Sequence, residues 1–279
     1  MSETLMRDMR LACGEKGNGI PMVFLHGTAG DRTHWSKLLA ELAALNVPVR
    51  GILPELYGYG ASPAWSLDRD VTIADHAAAV IQAVENLAQP FVMVAHSLGG
   101  AVALRMALER PGMFSRLILI EPAAFHALRT GSKADEALLE DLAIVGRQLA
   151  SAGRQSDPAV TAITTGMFVD YWNGTGVWQG LPDAMKDGFS RRLPSIGSDF
   201  SSLYAVDMPV DRYAEIDVPV LILRGGRSPQ PTRRIAELLT ETIPHAGMIE
   251  IADSGHMMPL SHAARLAAHI RDELALERV

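Results

Sequence analysis

The sequence has few of the features that mark disulfide-rich, zinc-binding, secreted or membrane-spanning proteins. Cys13 is its one cysteine, so no disulfide can form within the chain, and no cluster of Cys and His has zinc-site spacing. No apolar run approaches the length of a membrane span, and residues 1–10 lack the apolar core of a signal peptide. We therefore expect a cytoplasmic protein, and nothing in the sequence indicates a metal or another cofactor.

The sequence also lacks any concentration of charge. Its formal net charge of −7 is spread along 279 residues without an acidic or basic block. Such a surface argues against nucleic acid or an anionic membrane as a partner, and a small molecule is the expected one. Because 48% of the residues are hydrophobic, the chain can fill a large core, and α/β folds of this length often form one unit. The oligomeric state is not indicated.

Apolar runs of strand length alternate with helical patterns along most of the chain. Continuously apolar strands separated by helices are typical of a mostly parallel sheet with helices on both faces. The alternation stops after Phe125, because residues 126–210 contain helical patterns and aromatic side chains but no strand-like run. We predict a core of residues 1–125 and 211–279, interrupted by a helical insertion. The strand-like runs are residues 21–25, 47–53, 91–96, 114–120, 218–223 and 248–251.

The apolar run at residues 91–96 ends abruptly at Ser97, and a helical pattern follows at once. Ala95 and Gly99 flank the serine, which matches the pattern G-x-S-x-G with alanine at the first glycine position. A tight turn of this kind forces the serine into an uncommon backbone conformation, so its neighbours need little or no side chain. The turn lifts the Ser97 hydroxyl out of the sheet and directs the N–H of Leu98 toward an oxygen bound there. These features predict a nucleophile elbow.

Three segments resemble motifs of the α/β-hydrolase superfamily. They are residues 95–100, the pair His26 and Gly27 after a strand, and the pair Gly255 and His256 near the C-terminus. The resemblance covers essentially the whole chain. It implies a serine-nucleophile member with the α/β-hydrolase fold, in which a mostly parallel central sheet has helices on both faces and the insertion forms a helical cap.

The resemblance also implies roles for residues of the site. His256 follows Ser97 in the family's order of serine, acid and histidine, so it is the expected base for the serine hydroxyl. In this family the residue after the His-Gly pair donates its backbone N–H to the substrate oxygen, and that residue here is Thr28. The N–H groups of Leu98 and Thr28 are therefore the expected oxyanion hole.

The acid departs from the usual family pattern. Ser228 stands where many members carry an aspartate, and a serine cannot stabilise an imidazolium by charge. Some members take the acid from the end of the strand that follows the nucleophile helix. That position is Glu121, at the end of an apolar run where an unpaired carboxylate would be costly. We predict a triad of Ser97, His256 and Glu121, with Ser228 hydrogen-bonding within the site and Asp253 as the alternative acid.

The substrate class is predicted from apolar side chains of the insertion and of the loop after His256. Tyr171, Trp172 and Trp178 of the insertion, and Met257 beside His256, are expected to form an apolar pocket. We therefore expect hydrolysis of a medium-sized, mostly apolar ester or lactone through an acyl-enzyme. Two other functions found on the same fold stay open: a cofactor-free dioxygenase or perhydrolase, and a ligand receptor with vestigial hydrolase activity.

Overall fold

Seven strands form one sheet in the residues that the computed structural model describes, which are 9–66, 69–88, 90–155 and 157–275. The expectation for residues 1–10 lies almost wholly outside them, because only the last two of those residues are described. In chain order, the strands are β1 (Cys13–Lys16), β2 (Ile20–Leu25), β3 (Val49–Pro54), β4 (Phe91–His96), β5 (Phe114–Ile120), β6 (Val220–Gly225) and β7 (Ala246–Ile251).

The sheet is mostly parallel, and its strand order is β1-β3-β2-β4-β5-β6-β7. Each neighbouring pair from β3 to β7 is parallel, whereas β1 pairs antiparallel with β3. The central strand β4 is buried along its whole length, as its apolar sequence requires. The predicted α/β fold with a mostly parallel sheet is confirmed. Strand β1 has no counterpart among the predicted strands because its four residues lie at the sheet edge and form no apolar run.

Helices cover both faces of the sheet. Successive side chains of β4 point to opposite faces, so Val92 and Val94 lie in one apolar cluster and Met93 and Ala95 in another. The helices are α1 (Ser36–Ala44), α2 (Ile73–Ala83), α3 (Leu98–Glu109), α4 (Lys133–Ala152), α5 (Pro158–Asn173), α6 (Val177–Gly180), α7 (Asp183–Tyr204), α8 (Gln230–Thr242), α9 (Met258–Ser261) and α10 (Ala263–Ala275). Helices α1 and α10 contribute to the first cluster, and α2, α3 and α8 to the second.

The segment between β5 and β6 holds helices α4 to α7 and has no strand in the part of residues 126–210 that the structure describes. Helix α4 is one of the helical patterns expected in residues 126–210, and it buries Leu142, Val145 and Leu149 at helical spacing. Helix α5 begins after Asp157, whose carboxylate accepts the N–H of Ala159 at 2.8 Å. No helix in the described residues is both long and apolar enough to cross a bilayer.

Three buried histidines make the stability of this fold sensitive to acid. Burial lowers the pKa of His34 to about 3 and the pKa values of His76 and His126 to about 4. The unfolded chain takes up these protons below its pKa of 6.5 and the folded chain does not, so folding stability is lost as the pH falls through this interval. Burial raises the pKa of Asp199 to about 7, which opposes the trend, but burial also lowers the pKa values of His26 and His96, which adds to it.

We expect the free energy of unfolding to fall as the pH drops from 7 to 4.5. The loss is at most about 3 kcal/mol for His126, because one pKa unit corresponds to about 1.4 kcal/mol. Urea unfolding followed by circular dichroism at a series of pH values measures it. His126→Gln should flatten the dependence, because it removes one of these buried imidazoles. A wild-type stability that is constant over this interval would contradict the prediction.

Candidate active site

The turn between β4 and α3 places Ser97 at the carboxyl edge of the sheet. Ser97 has φ 53° and ψ −118°, a conformation that L-residues seldom adopt and that costs about 1–3 kcal/mol. The turn is held by the Ser97 N–H, which donates to the carbonyl of Ile120 at 3.1 Å. A Cβ at Gly99 would lie 2.5 Å from the carbonyl oxygen of Leu25, so the first turn of α3 packs against the end of β2 only with glycine there.

Folding brings Ser97, His256 and Glu121 into one chain of hydrogen bonds. The Ser97 Oγ lies 3.1 Å from Nε2 of His256, and Nδ1 of His256 lies 2.7 Å from Oε2 of Glu121. In this arrangement Nδ1–H donates to the carboxylate and Nε2 is free to accept the serine proton. Glu121 is fully buried, and the other two side chains are nearly so. The predicted members of the triad are therefore adjacent, with the polarity that general-base chemistry needs.

Glu121 is held by backbone groups at the ends of β5 and β6. Its Oε1 accepts the N–H of Gly225 at 2.6 Å, and its own N–H donates to the carbonyl of Leu223 at 3.0 Å. Glu121 has φ 44°, so it is a second non-glycine residue of the site in a left-handed conformation. Such strain persists where the surrounding contacts fix the backbone, and here it orients the carboxylate toward His256.

Two further side chains, His96 and Trp172, lie against the His256 ring, and a third, His34, lies behind His96. Nε2 of His96 lies 2.9 Å from the carbonyl oxygen of His256 and donates to it, which anchors the loop that carries His256. His34 stacks on His96 with ring centroids 5.0 Å apart, and Trp172 lies against His256 at 4.3 Å. Burial, together with His256 and His34, holds the pKa of His96 well below its usual value, so His96 stays neutral. Sequence reasoning missed His34 and His96, since nothing in their local pattern marks them.

The loop that follows β2, residues 27–31, lies beside Ser97 and is here called the β2 loop. The carbonyl of Gly27 accepts from Nδ1 of His26 at 2.8 Å and from the N–H of Gly30 at 3.0 Å. Because the N–H of a trans peptide points away from its carbonyl, the Thr28 N–H faces the opposite way. Thr28 lines the cavity above Ser97. Leu98 is the first residue of α3, so its N–H has no partner within the helix.

A cavity of about 660 Å³ opens above Ser97, between the sheet edge and the helices of the segment 126–210. Of the four residues predicted to line it, Trp172 and Met257 do so, and Tyr171 and Trp178 do not. The side of α5 that lines the cavity carries Phe168, Val169 and Trp172, which lie one helical turn apart, and Tyr171 lies outside that side. Trp178 instead packs against Gly166, where an added Cβ would lie 2.8 Å from its ring. Sequence reasoning missed several apolar residues of the wall, which include Phe125, Phe168, Val169, Phe200 and Leu203.

Neither the Ser228 hydroxyl nor the Asp253 carboxylate forms a hydrogen bond with the triad. Ser228 lies near the end of β6 and is buried, but its hydroxyl forms no hydrogen bond with any described residue, so the expected bond within the site is not made. The N–H of Gly225 contacts Glu121 there instead. Asp253, the alternative acid, pairs with Arg265 and His262 at the surface and not with His256. In the described part of the chain, no group of three or more His, Cys, Asp or Glu could hold a metal ion.

The strand–serine–helix turn on a mostly parallel sheet, with the acid and the histidine at later strand ends, defines an α/β-hydrolase fold. The chain belongs to the alpha/beta hydrolase family, whose family model matches residues 22–269.

Two individual relatives share between a quarter and a third of the aligned residues with this chain. The chain is 26% identical over 269 residues to Lipase LipV of Mycobacterium tuberculosis, which covers 90% of this chain and 91% of that protein. It is 32% identical over 124 residues to the 2-hydroxymuconate semialdehyde hydrolase of a Pseudomonas species, which covers 43% of each chain.

Solved structures with the same fold include an esterase and an enol-lactonase. The structure is similar to the thermophilic esterase from Thermogutta terrifontis, with a TM-score of 0.72 and 23% identity over 95% of this chain and 93% of that one. It is also similar to the enol-lactonase from Burkholderia xenovorans, with a TM-score of 0.74 and 19% identity over 95% and 96% of the two chains. At these identities the likeness shows the fold alone.

Proposed function

We propose that the protein is a serine hydrolase that cleaves a medium-sized, mostly apolar carboxylic ester or lactone through an acyl-enzyme. The observation that carries this proposal is the buried pair of hydrogen bonds, 3.1 Å from Ser97 to His256 and 2.7 Å from His256 to Glu121. A serine hydroxyl is a weak nucleophile until a base takes its proton, and these contacts provide a base and a group that orients it. The similarity to Lipase LipV, at 26% identity over 90% of this chain, supports the same reaction class.

The first half of the reaction acylates the serine. The Ser97 Oγ attacks the carbonyl carbon of the substrate while its proton moves to Nε2 of His256. The negative charge that develops on the carbonyl oxygen faces the N–H groups of Leu98 and Thr28, and each such donor contributes roughly 10²–10³-fold to the rate. The Glu121 carboxylate stabilises the imidazolium. Collapse of the tetrahedral intermediate breaks the ester bond as His256 gives its proton to the departing alkoxide.

The second half of the reaction repeats these steps with water. A water molecule gives a proton to His256 and attacks the acyl-enzyme carbonyl, and His256 then returns the proton to Ser97 as the carboxylic acid leaves. Because His34 and His96 stay neutral, they do not repel the transient positive charge on His256. The positive charge is instead stabilised by Glu121, which is the carboxylate in contact with this ring.

We assign the role of a cap to residues 126–210 and the role of the catalytic core to residues 1–125 and 211–279. The cavity supports this division, because its walls include Thr28, Ser97 and His256 from the core and Phe168 and Trp172 from the insertion. Its surroundings are largely apolar, which favours an uncharged acyl group of moderate size. The cap would exclude water from the acyl-enzyme until the leaving group has departed.

The cavity mouth is apolar as well. Three large apolar side chains that line the cavity are 37–49% exposed to solvent. They are Val177, Met185 and Leu260. An acyl chain that extends from the cavity would cover them and gain the free energy of burial. The rim therefore supports a substrate whose apolar part is longer than the cavity itself.

We expect kcat/KM for p-nitrophenyl esters to increase with acyl length from acetate to hexanoate, by up to about 4-fold per methylene group. Met185→Ser should reduce the increase for the longer chains, because it removes apolar surface at the rim. Ile163→Ser is the matched control, since Ile163 is 73% exposed and does not line the cavity. Equal kcat/KM values across the series, or equal effects of both variants, would contradict the assignment of the rim.

The reaction class is tested by steady-state hydrolysis of p-nitrophenyl butyrate and of a lactone of similar size by the purified protein. The proposal predicts turnover of both compounds, with a burst of p-nitrophenol equal to the protein concentration for esters whose deacylation is slower than their acylation. Oxygen consumption that persists in Ser97→Ala would instead indicate a cofactor-free oxygenase. Thermal stabilisation by these compounds without turnover would indicate a receptor. Either result would overturn the proposal.

A further inference from the structure

The β2 loop holds a strained residue that takes no part in the chemistry. Ala29 has φ 63°, a left-handed conformation that is unfavourable for a residue with a Cβ. It directly follows Thr28, whose N–H is the second proposed oxyanion donor. The peptide that carries the Thr28 N–H is held at the Gly27 carbonyl by His26 and Gly30, and the contacts on Ala29 hold the backbone that follows it in the same loop.

Helix α7 of the insertion supplies these contacts from outside the core. Arg192 donates from Nη1 to the carbonyl of Ala29 at 2.8 Å and from Nη2 to Oδ2 of Asp31 at 3.2 Å. Asp199, two helical turns further along α7, lies close enough to Thr28 that the Thr28 side chain lowers the Asp199 pKa, against the larger effect of burial. Residues seven apart lie on the same helix face, so one face of α7 contacts the loop at both ends.

Tyr59 extends the contact to the other side of Ala29. Its hydroxyl donates to Oδ2 of Asp199 at 2.5 Å and lies near the backbone N–H of Ala29. The carbonyl of the strained residue is therefore held by Arg192, and its N–H lies beside a hydroxyl that is itself held by α7. Residues 28, 29 and 31 of the loop therefore lie against α7, either directly or through the Tyr59 hydroxyl.

Asp199 is costly for the fold, which argues that its position serves a purpose. It is buried, does not line the cavity, and lies 3.8 Å from His76, which is also buried. Burial raises the pKa of Asp199 and lowers the pKa of His76, so both are driven toward their neutral forms and do not compensate each other as ions. An apolar side chain at this position would avoid the desolvation cost but would leave the Tyr59 hydroxyl without its acceptor.

We propose that Arg192 and Asp199 are positioning residues that clamp the β2 loop, so that the oxyanion hole is complete only when helix α7 is seated on the core. The proposal rests on the proposed function above. The insertion would then contribute to catalysis in two ways, by enclosing the substrate and by holding the β2 loop in place. Displacement of α7 releases the Ala29 peptide and misaligns the Thr28 N–H, while the contacts among Ser97, His256 and Glu121 remain.

Three variants test the clamp: Arg192→Ala, Asp199→Asn and Tyr59→Phe. Each should lower kcat for p-nitrophenyl butyrate by roughly 10–100-fold with KM within two-fold, because a misplaced donor weakens binding of the transition state and not of the ester. The affinity of phenylboronic acid, whose adduct on Ser97 places an oxygen in the oxyanion hole, should fall by the same factor. The kcat of Arg192→Lys should lie between those of wild type and Arg192→Ala, because lysine keeps the positive charge but cannot make both contacts of the guanidinium.

Two residues of the insertion provide matched controls. Lys186 on α7 contacts only the carbonyl of Gln179 and Asp183 among the described residues. Asp170 on α5 accepts backbone N–H groups of Gly176 and Trp178. Lys186→Ala and Asp170→Asn therefore remove a cation and an acid whose contacts stay within the insertion, and kcat should stay within two-fold of wild type.

Folding is checked by circular dichroism and by thermal unfolding of every variant. Tyr59→Phe keeps the ring that packs edge-on against His26 at 5.7 Å, so it keeps the fold even where the charged variants lose stability. Folded variants with unchanged kcat, or a raised KM at unchanged kcat, would overturn the clamp while leaving the serine hydrolase intact. Failure of the wild type to turn over esters would instead overturn the proposed function.

Discussion

Replacing Ser97 with alanine is expected to lower kcat for ester hydrolysis by roughly 10⁴–10⁶-fold, the largest effect that this structure predicts. The variant keeps His256, Glu121 and the β2 loop, but no nucleophile remains within reach of the imidazole. Residual hydrolysis would come from water in a site that still binds the substrate, so KM should change little. Stopped assays at high protein concentration measure a loss of this size.

Two controls separate this loss from a general effect of mutation. Ser201→Ala removes a hydroxyl on α7 that donates to the carbonyl of Gly197 at 3.1 Å and does not line the cavity, and it should keep wild-type activity. The thermal unfolding temperature of Ser97→Ala should equal or exceed that of wild type. Alanine keeps the Cβ that packs in the turn, and it removes a hydroxyl group that is nearly buried. A Ser97→Ala protein with more than a tenth of wild-type kcat would contradict the account.

Replacing Glu121 with glutamine is expected to lower kcat by roughly 10³–10⁴-fold, the second largest effect. The amide keeps the size of the side chain but cannot stabilise an imidazolium by charge, and its NH₂ group favours the wrong tautomer of His256. The backbone N–H of Gly225, which donates to Oε1, would still be satisfied by the amide oxygen. The loss should therefore come from chemistry and not from unfolding.

Asp253→Asn is the matched control for the acid. Asp253 is the other carboxylate near His256 in the chain, but it is directed toward Arg265 and His262 on the surface. We expect its kcat to stay within two-fold of wild type. If Asp253→Asn were the damaging substitution and Glu121→Gln were nearly silent, the acid would be misassigned. The comparison of the two variants in one assay distinguishes these cases.

The sequence predicts the elements whose signals are local. The run at β4, the small residues beside Ser97 and the helical pattern after it lie within ten residues, so the turn could be recognised without the fold. The same holds for the capping box at the start of α2, in which Asp75 accepts the N–H of Thr72 at 2.9 Å. Glu121 could be selected because an acid at the end of an apolar run is costly without a partner.

Other features depend on how distant segments meet. Helix α5 is apolar around most of its circumference, so its sequence does not indicate that Trp172 faces the cavity and Tyr171 does not. The stacking of His34 on His96 joins residues that are far apart in the chain, and each histidine alone looks like an ordinary packing residue. The contact of Arg192 with Ala29 spans 163 positions. Such pairs follow from the strand order and not from any motif.

The dependence of the Ser97 hydroxyl on His256 is tested most directly by labelling with a fluorophosphonate, which reacts with an activated serine. Intact-protein mass spectrometry and peptide mapping should show one label per chain, located on Ser97, in the wild-type protein. In His256→Ala the labelling rate should fall by at least about 10³-fold, because no other group accepts the serine proton. Labelling of His256→Ala at the wild-type rate, or a wild-type protein labelled elsewhere than Ser97, would contradict the account.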